Sequence, residues 1–306
     1  MSAPEGVVHT SEIAKRLGLA DGWIESRTGV RERRIAGSGD RLASSATAAG
    51  RQALRNAGLE PDDIDLLLVA TFTADDVLPN TAALVARDLG APRASAHDIG
   101  AACTGFISGL AAAASAIESG RAVHVLLIAA DYMSRTIDGT DRRTAGLMGD
   151  GAGAVVLSGG DDDETYIGPV VLHTDPAGPE LVFSGWDDRI LHMVGPEVFR
   201  RAVDRISEAS VEAVGRAGIT LDDIDVFVYH QANSRILQGV GKRLELDTDK
   251  VVNCVPEYGN TGAASIPIGL CVAEEQGLLK NGSTVLFGAI GAGFIYGACV
   301  VRWVGP

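Results

Sequence analysis

The chain has 306 residues, 46% of them hydrophobic and 22% charged, enough apolar material for a large buried core. Its formal charge of −14, from 26 Lys and Arg against 40 Asp and Glu, argues against a nucleic-acid partner. Met1-Ser2-Ala3-Pro4-Glu5 lacks the basic and apolar stretches of a secretion signal, and the longest apolar run, Val123 to Ala130, is too short to cross a bilayer, so a cytoplasmic protein with no membrane partner is expected.

In chain order, Leu42 to Ala57 carries apolar and small residues at helical spacing, and Leu66 to Thr71 is a short apolar strand. A helix over Thr81 to Leu89 and a strand over Ala94 to Asp98 follow. Thr104 to Ser119, closed by Gly120, is apolar on nearly every side and reads as a buried helix. Val123 to Ala129 and Gly153 to Ser158 are strands, and Asp161 to Glu164 is a solvated acidic linker. Beyond it come a helix over Phe199 to Ala217, a strand over Val226 to Tyr229 and a helix over Ser234 to Leu244. The extended Val251-Val252-Asn253, a helix over Ser265 to Leu278 and a strand over Thr284 to Ala289 complete the order. Strands alternating with helices predict mostly parallel sheets covered by helices, the α/β class.

Two stretches repeat each other. Ala57-Gly58-Leu59-Glu60-Pro61-Asp62-Asp63-Ile64-Asp65 and Ala217-Gly218-Ile219-Thr220-Leu221-Asp222-Asp223-Ile224-Asp225 both run into an apolar strand, 160 residues apart. The same offset pairs Gly109-Leu110 with Gly269-Leu270 and Val125-Leu126 with Val285-Leu286. A constant offset predicts a duplicated α/β unit with two pseudo-symmetric halves, residues 1–160 and 161–306. It sets the loop holding Cys103 opposite the loop holding Asn260 to Ala263.

The four cysteines, Cys103, Cys254, Cys271 and Cys299, are too far apart for a zinc knuckle or a Cys-x-x-Cys motif, so no disulfide and no metal site are expected. Cys103 differs from the rest. It stands at the first turn of the buried helix, flanked by small residues, where the partial positive charge of unpaired backbone N–H groups should lower its pKa. The other three read as packing. Tyr229-His230-Gln231-Ala232-Asn233 lies at the carboxyl end of an apolar strand, where ligands gather in α/β sheets. His9, His97, His124, His173 and His192 read as structural. Tyr258-Gly259-Asn260-Thr261-Gly262 opens another helix.

Six motifs in order now carry a resemblance. Trp23 to Arg33, Ala101-Ala102-Cys103-Thr104-Gly105-Phe106, Gly149-Asp150-Gly151-Ala152-Gly153-Ala154, His230-Gln231-Ala232-Asn233, Gly259-Asn260-Thr261 and Gly291-Ala292-Gly293-Phe294 together resemble the β-ketoacyl-acyl carrier protein synthase III family over nearly the whole length. The resemblance implies a thiolase-like duplicated fold, layered αβαβα. It also implies an acyltransferase that condenses in two stages and needs no cofactor beyond acyl-CoA as substrate. Cys103 would take an acyl group from acyl-CoA. His230 and Asn260 would hydrogen-bond the thioester oxygen of malonyl-acyl carrier protein as it loses CO2. Backbone N–H groups of Cys103 and Ala292 would form the oxyanion hole. Trp23 and Arg142 would sandwich the CoA adenine, Arg27 would face its phosphates and Asn233 the pantetheine. Leu78, offered by the neighbouring subunit of a homodimer, would line the acyl pocket with Met133, Met148 and Ile290. Methionines adapt their shape, so a starter longer or more branched than acetyl is expected. Arg235, Lys242 and Arg243 would form a carrier-protein patch, although such charges also suit a plain solvated helix face.

Four features depart from the family. It opens with a strand before the position of Pro4, central in its sheet, that this chain lacks, so the start site would be misassigned or another segment would replace the strand. The stretch from His173 to Met193 is short, which would open the site's mouth. Ile290 replaces a phenylalanine beside the nucleophile, and Pro196 an asparagine at the pantetheine. Among rivals, a thiolase needs a second cysteine in the last glycine loop, and a hydroxymethylglutaryl-CoA synthase needs a glutamate near residues 71 to 80. Neither is present; that stretch offers only Asp75 and Asp76. An acyltransferase forming no carbon–carbon bond stays open, given Ile290. A non-catalytic partner subunit would have lost Cys103.

Overall fold

The computed structural model describes residues 1–160 and 166–305; the expected acidic linker at Asp161 to Glu164 lies outside the described residues. The chain opens with a two-stranded ribbon, β1 (Val7–His9) with β2 (Glu32–Arg34), around α1 (Thr10–Arg16) and α2 (Glu25–Thr28). Then come α3 (Leu42–Ala57), β3 (Leu66–Ala70), α4 (Thr81–Leu89), β4 (Ser95–Ile99), α5 (Gly105–Glu118), β5 (His124–Tyr132) and β6 (Asp150–Ser158). After β7 (Val171–Thr174), β8 (Val182–Ser184) and β9 (Leu191–Met193) form a separate hairpin. The rest is α6 (Gly195–Arg216), β10 (Val226–Tyr229), α7 (Ser234–Arg243), α8 (Val255–Tyr258), α9 (Ser265–Glu275), β11 (Thr284–Gly291) and β12 (Ile295–Arg302).

Two four-stranded sheets form the frame, in the orders β4-β3-β5-β6 and β10-β11-β12-β7. Helices α5 and α9 lie between them, α3 and α4 cover the outer face of the first, and α6, with α7 packed against it, covers the second. This is the expected five-layer arrangement. The central core joins both sheets, with Phe106 of α5 edge-on to Phe287 of β11 at 5.8 Å between ring centroids. Each such fully buried side chain contributes roughly 1.5–3 kcal/mol.

The repeated acidic motif has a local cause. Asp63 and Asp223 each accept the backbone N–H three residues back, from Glu60 and Thr220, closing matching turns. Asp65 and Asp225 then start β3 and β10 alike: their N–H groups donate to His124 and Thr284 carbonyls, and their carboxylates accept N–H groups of the neighbouring strand. The registers Leu66 to Val125 and Val226 to Val285 keep the 160-residue offset.

Three expectations change. The sheets are not mostly parallel: β3–β4, β3–β5 and β10–β11 are parallel, but β5–β6, β11–β12 and β12–β7 are antiparallel. The turn from β11 to β12 is only residues 292–294, too short for a crossover. Helix α6 starts at Gly195, before the expected Phe199, because Pro196 sits in its first turn, where a missing N–H costs nothing. Among the described residues the first sheet runs unbroken as β4-β3-β5-β6, so the strand expected at its centre is not central there. Ser2 exchanges two backbone hydrogen bonds of 2.8 Å with Ala152 at the outer edge of β6.

Candidate active site

Cys103 stands in a single 3₁₀ turn, Ala102–Thr104, that leads into α5. Ala102 has φ of +45°, a left-handed conformation that costs a non-glycine residue about 1 kcal/mol or more. The turn is held by Thr104, whose N–H and hydroxyl both donate to the Ala101 carbonyl, at 3.1 and 2.6 Å. Gly291 packs directly on it. A Cβ there would lie 2.9 Å from Cys103 N and 3.2 Å from Thr104 N, so only glycine lets the β11–β12 turn reach the nucleophile. That turn carries Ala292.

The expected lowering of the Cys103 pKa is reversed. Burial pushes the thiol up to about 12, and the nearby Asp131 carboxylate adds to the shift. Desolvation of a thiolate outweighs the partial charges of one short turn. Burial also raises Cys254 and Cys299 to about 12, and neither lines the cavity that Cys103 faces.

His230 follows the last residue of β10, and its N–H donates to the Gly288 carbonyl at 2.8 Å. The ring is buried, which drives its pKa down to about 4 and keeps the imidazole neutral. Its Nδ1 lies 2.7 Å from Ser265 Oγ, at the start of α9. Ser265 Oγ accepts the Gln231 N–H at 3.2 Å and is fully buried. Among the described residues, Nδ1 is the acceptor left for the buried hydroxyl hydrogen. Ser265 therefore donates to Nδ1, and the ring proton sits on Nε2.

Asn260 is clamped by its backbone to the chain on either side of Met148. Its N–H donates to the Leu147 carbonyl and its carbonyl accepts the Gly149 N–H, both at 2.9 Å. Its Oδ1 accepts the Gly262 N–H at 3.0 Å. A backbone N–H needs an acceptor, so the side-chain amide is fixed with its NH2 end turned away, free to donate.

These groups face one cavity of about 1150 Å³, lined by Cys103, His230, Asn260 and Ala292, and by Trp23, Arg27, Arg142, Asn233, Met133, Met148, Ile290 and Arg235. Arg27 is not free to face outward alone: its guanidinium lies over the Trp23 ring at 4.2 Å. Asn233 caps α7, accepting the Arg235 N–H at 2.8 Å and donating to the Arg27 carbonyl at 3.2 Å. Leu78 stands outside this chain's cavity and is 83% exposed. Lys242 and Arg243 also lie outside it, and Arg243 is ion-paired with Asp204, which shrinks the basic patch. Pro196 lines the wall, and the stretch from His173 to Met193 supplies the β8–β9 hairpin as one side of the cavity. Asp75 caps α3 through the N–H groups of Leu42 and Ala43 and pairs with Arg41 and Arg135, so it is engaged in structure. No group of three or more His, Cys, Asp and Glu among the described residues could hold a metal ion.

Sequence reasoning passed over two residues, Ser265 and Asp131. Asp131 is a fully buried carboxylate that accepts four hydrogen bonds. Its one visible signal is a lone acid near the end of an apolar strand.

Comparison with known proteins bears on this site. A family model described as 3-oxoacyl-[acyl-carrier-protein] synthase III matches residues 97–176, and one described as its C-terminal part matches residues 214–303. The chain is 42% identical to the β-ketoacyl-[acyl-carrier-protein] synthase III of Roseobacter denitrificans, over 98% of this chain and 96% of that one. Among solved structures, 3-oxoacyl-[acyl-carrier-protein] synthase III from Aquifex aeolicus superposes with a TM-score of 0.95 at 38% identity, covering 99% of this chain and 97% of that one. The priming β-ketosynthase of the R1128 polyketide pathway also gives 0.95, at 36% identity, covering 99% and 94%. With such identity across nearly the full length of both chains, and with family models matched in each half, the chain belongs to the 3-oxoacyl-[acyl-carrier-protein] synthase III family.

Proposed function

We propose that this protein loads an acyl group from acyl-CoA onto Cys103 and condenses it with malonyl-acyl carrier protein, starting a fatty acid or polyketide chain. The observation that carries the reading is the convergence of Cys103, a neutral His230 and an oriented Asn260 amide on one cavity. Cys103 Sγ attacks the acyl-CoA thioester, the carbon–sulfur bond to CoA breaks, and the thiol proton leaves with CoA. Malonyl carrier protein then enters. Nε2–H of His230 and the Asn260 amide donate to its thioester oxygen while the bond to CO2 breaks and the electron pair passes into the enolate. Neutral donors suit this step because they add no standing charge. The enolate carbon attacks the acyl-Cys103 carbonyl, whose oxyanion rests on the N–H groups of Cys103 and Ala292. Losing one such donor costs about 3–4 kcal/mol of barrier. Collapse expels Cys103 as a thiolate, which is reprotonated.

Trp23, Arg27, Arg142 and Asn233 line the cavity where CoA would enter. Arg235, with the exposed Lys242 about two turns further along α7, gives an acidic carrier protein a local attraction against the chain's own −14 charge. The protein acts as a cytoplasmic homodimer. Val77 and Leu78 are 71% and 83% exposed, and Phe72 stands beside them, an apolar edge that a second copy would cover. Among the described residues, no helix is long and apolar enough to cross a membrane.

Ile290 favours one other reading, transfer of the acyl group to an alcohol or amine. Intact mass spectrometry after incubation with acetyl-, isobutyryl- and octanoyl-CoA, followed by CO2 release from malonyl carrier protein, separates the two. Acyl mass on wild type but not on Cys103→Ala, followed by CO2 release, supports condensation. Acyl mass on Cys103→Ala refutes the nucleophile, and loading without CO2 release supports the transferase.

A further inference from the structure

Asp131 is the last residue but one of the apolar strand β5 and has no exposure to solvent. Its two oxygens face opposite parts of the molecule. Oδ1 accepts the hydroxyls of Thr71 and Thr73 and the N–H of Phe72, at 3.1, 3.0 and 3.0 Å. Oδ2 accepts the Ala263 N–H at 2.8 Å, from the turn that follows Asn260. Gly262, at φ of +59°, sits so close that a Cβ would lie 2.4 Å from Oδ2. One carboxylate thus ties the loop over residues 71–73, which helps wall the cavity, to the turn that carries the Asn260 amide.

Chemistry leaves little choice of residue here. All four partners donate, and two of them are backbone N–H groups that cannot turn around. Burial pushes the Asp131 carboxyl up to about 7, against the pull of its four donors; as a carboxylate it has an acceptor at both ends. An asparagine of the same shape has only one. With its oxygen toward the three donors near Phe72, its NH2 would meet the Ala263 N–H head-on.

We infer that Asp131 is a positioning residue for the condensation step: it sets the Asn260 turn against the nucleophile's half of the molecule and so fixes where the enolate oxygen binds. It does not touch the reacting atoms. Its role rests on the condensation reading, and its geometry does not. Loading of Cys103 from acyl-CoA draws on the 3₁₀ turn and the β11–β12 turn, which Asp131 does not bond.

The test compares Asp131→Asn and Gly262→Ala with wild type in two half-reactions and by amide hydrogen exchange. Gly262→Ala pushes on the same contact from the other side, so it stands in if Asp131→Asn fails to fold. Gly262→Ala should load octanoyl or isobutyryl groups within about threefold of wild type, and Asp131→Asn, which removes the carboxylate that helps raise the Cys103 thiol, should load no more slowly than that. CO2 release from malonyl carrier protein should fall more than tenfold, and the Ala263 amide should exchange at least tenfold faster. Unchanged CO2 release, or an equal fall in both half-reactions, overturns the inference. If wild type loads but releases no CO2, the condensation reading fails instead. The exchange result then decides alone, and an Ala263 amide still protected in Asp131→Asn overturns the inference.

Discussion

Ser265→Ala removes the only partner that His230 Nδ1 has among the described residues, a contact of 2.7 Å between a fully buried hydroxyl and a buried ring. Two groups lose a partner at once, since the Gln231 N–H also donates to that hydroxyl. A buried polar group left unpaired costs about 1–3 kcal/mol, so the midpoint of denaturant unfolding should fall by a corresponding amount with little change in slope. The catalytic effect has a separate origin. With the hydroxyl gone, nothing pins the ring proton to Nε2, and the donor aimed at the thioester oxygen is lost from part of the population. A loss of about 1–2 kcal/mol of that orientation corresponds to roughly 5- to 30-fold in rate. The assay is CO2 release from malonyl carrier protein by protein already acylated on Cys103, beside the rate of acylation itself. CO2 release should fall while acylation stays within about threefold. Release at the wild-type rate, or an equal drop in both, would falsify the tautomer argument.

Three further outcomes follow from the same geometry. With its thiol near 12, Cys103 should react with iodoacetamide at a rate that keeps rising about tenfold per pH unit from 7 to 10, and a plateau below pH 9 would show a stabilised thiolate instead. The folded pKa of His230, about 4, lies below its unfolded value of about 6.5, so the unfolded chain takes up this proton first as pH falls. Between pH 6.5 and 4 wild type should therefore lose up to roughly 3 kcal/mol of stability relative to His230→Gln, and parallel stability curves across that window would contradict a buried neutral ring. Wild type should prefer isobutyryl- or octanoyl-CoA to acetyl-CoA, because each buried methylene adds about 0.8 kcal/mol, and Leu78→Phe should shift the preference toward acetyl-CoA. A wild-type preference for acetyl-CoA in steady-state kinetics would refute that pocket.

The repeat was legible in the sequence because its causes are local. A carboxylate three residues into a turn, and another at a strand start, act on neighbours along the chain, so Asp63 with Asp65 and Asp223 with Asp225 announce the same structure twice. The buried helix after Cys103 was equally plain, since an apolar surface on every side has one place to go. The order of the motifs named the family before any distance was known. The β8–β9 hairpin escaped notice because three-residue strands in an irregular stretch show no period.

What the thiol would be, and who would hold the histidine and asparagine, belonged to the tertiary structure. Position at a helix start argued for a thiolate, but desolvation depends on everything packed around the sulfur, and it wins. Ser265 lies 35 residues from His230, and Ala263 lies 132 residues from Asp131. A polar residue in an apolar strand declares that it must be satisfied, not by which donors. Those donors are brought to it only when the two sheets close over α5 and α9, because a hydrogen bond depends on ångströms in space and not on distance along the chain.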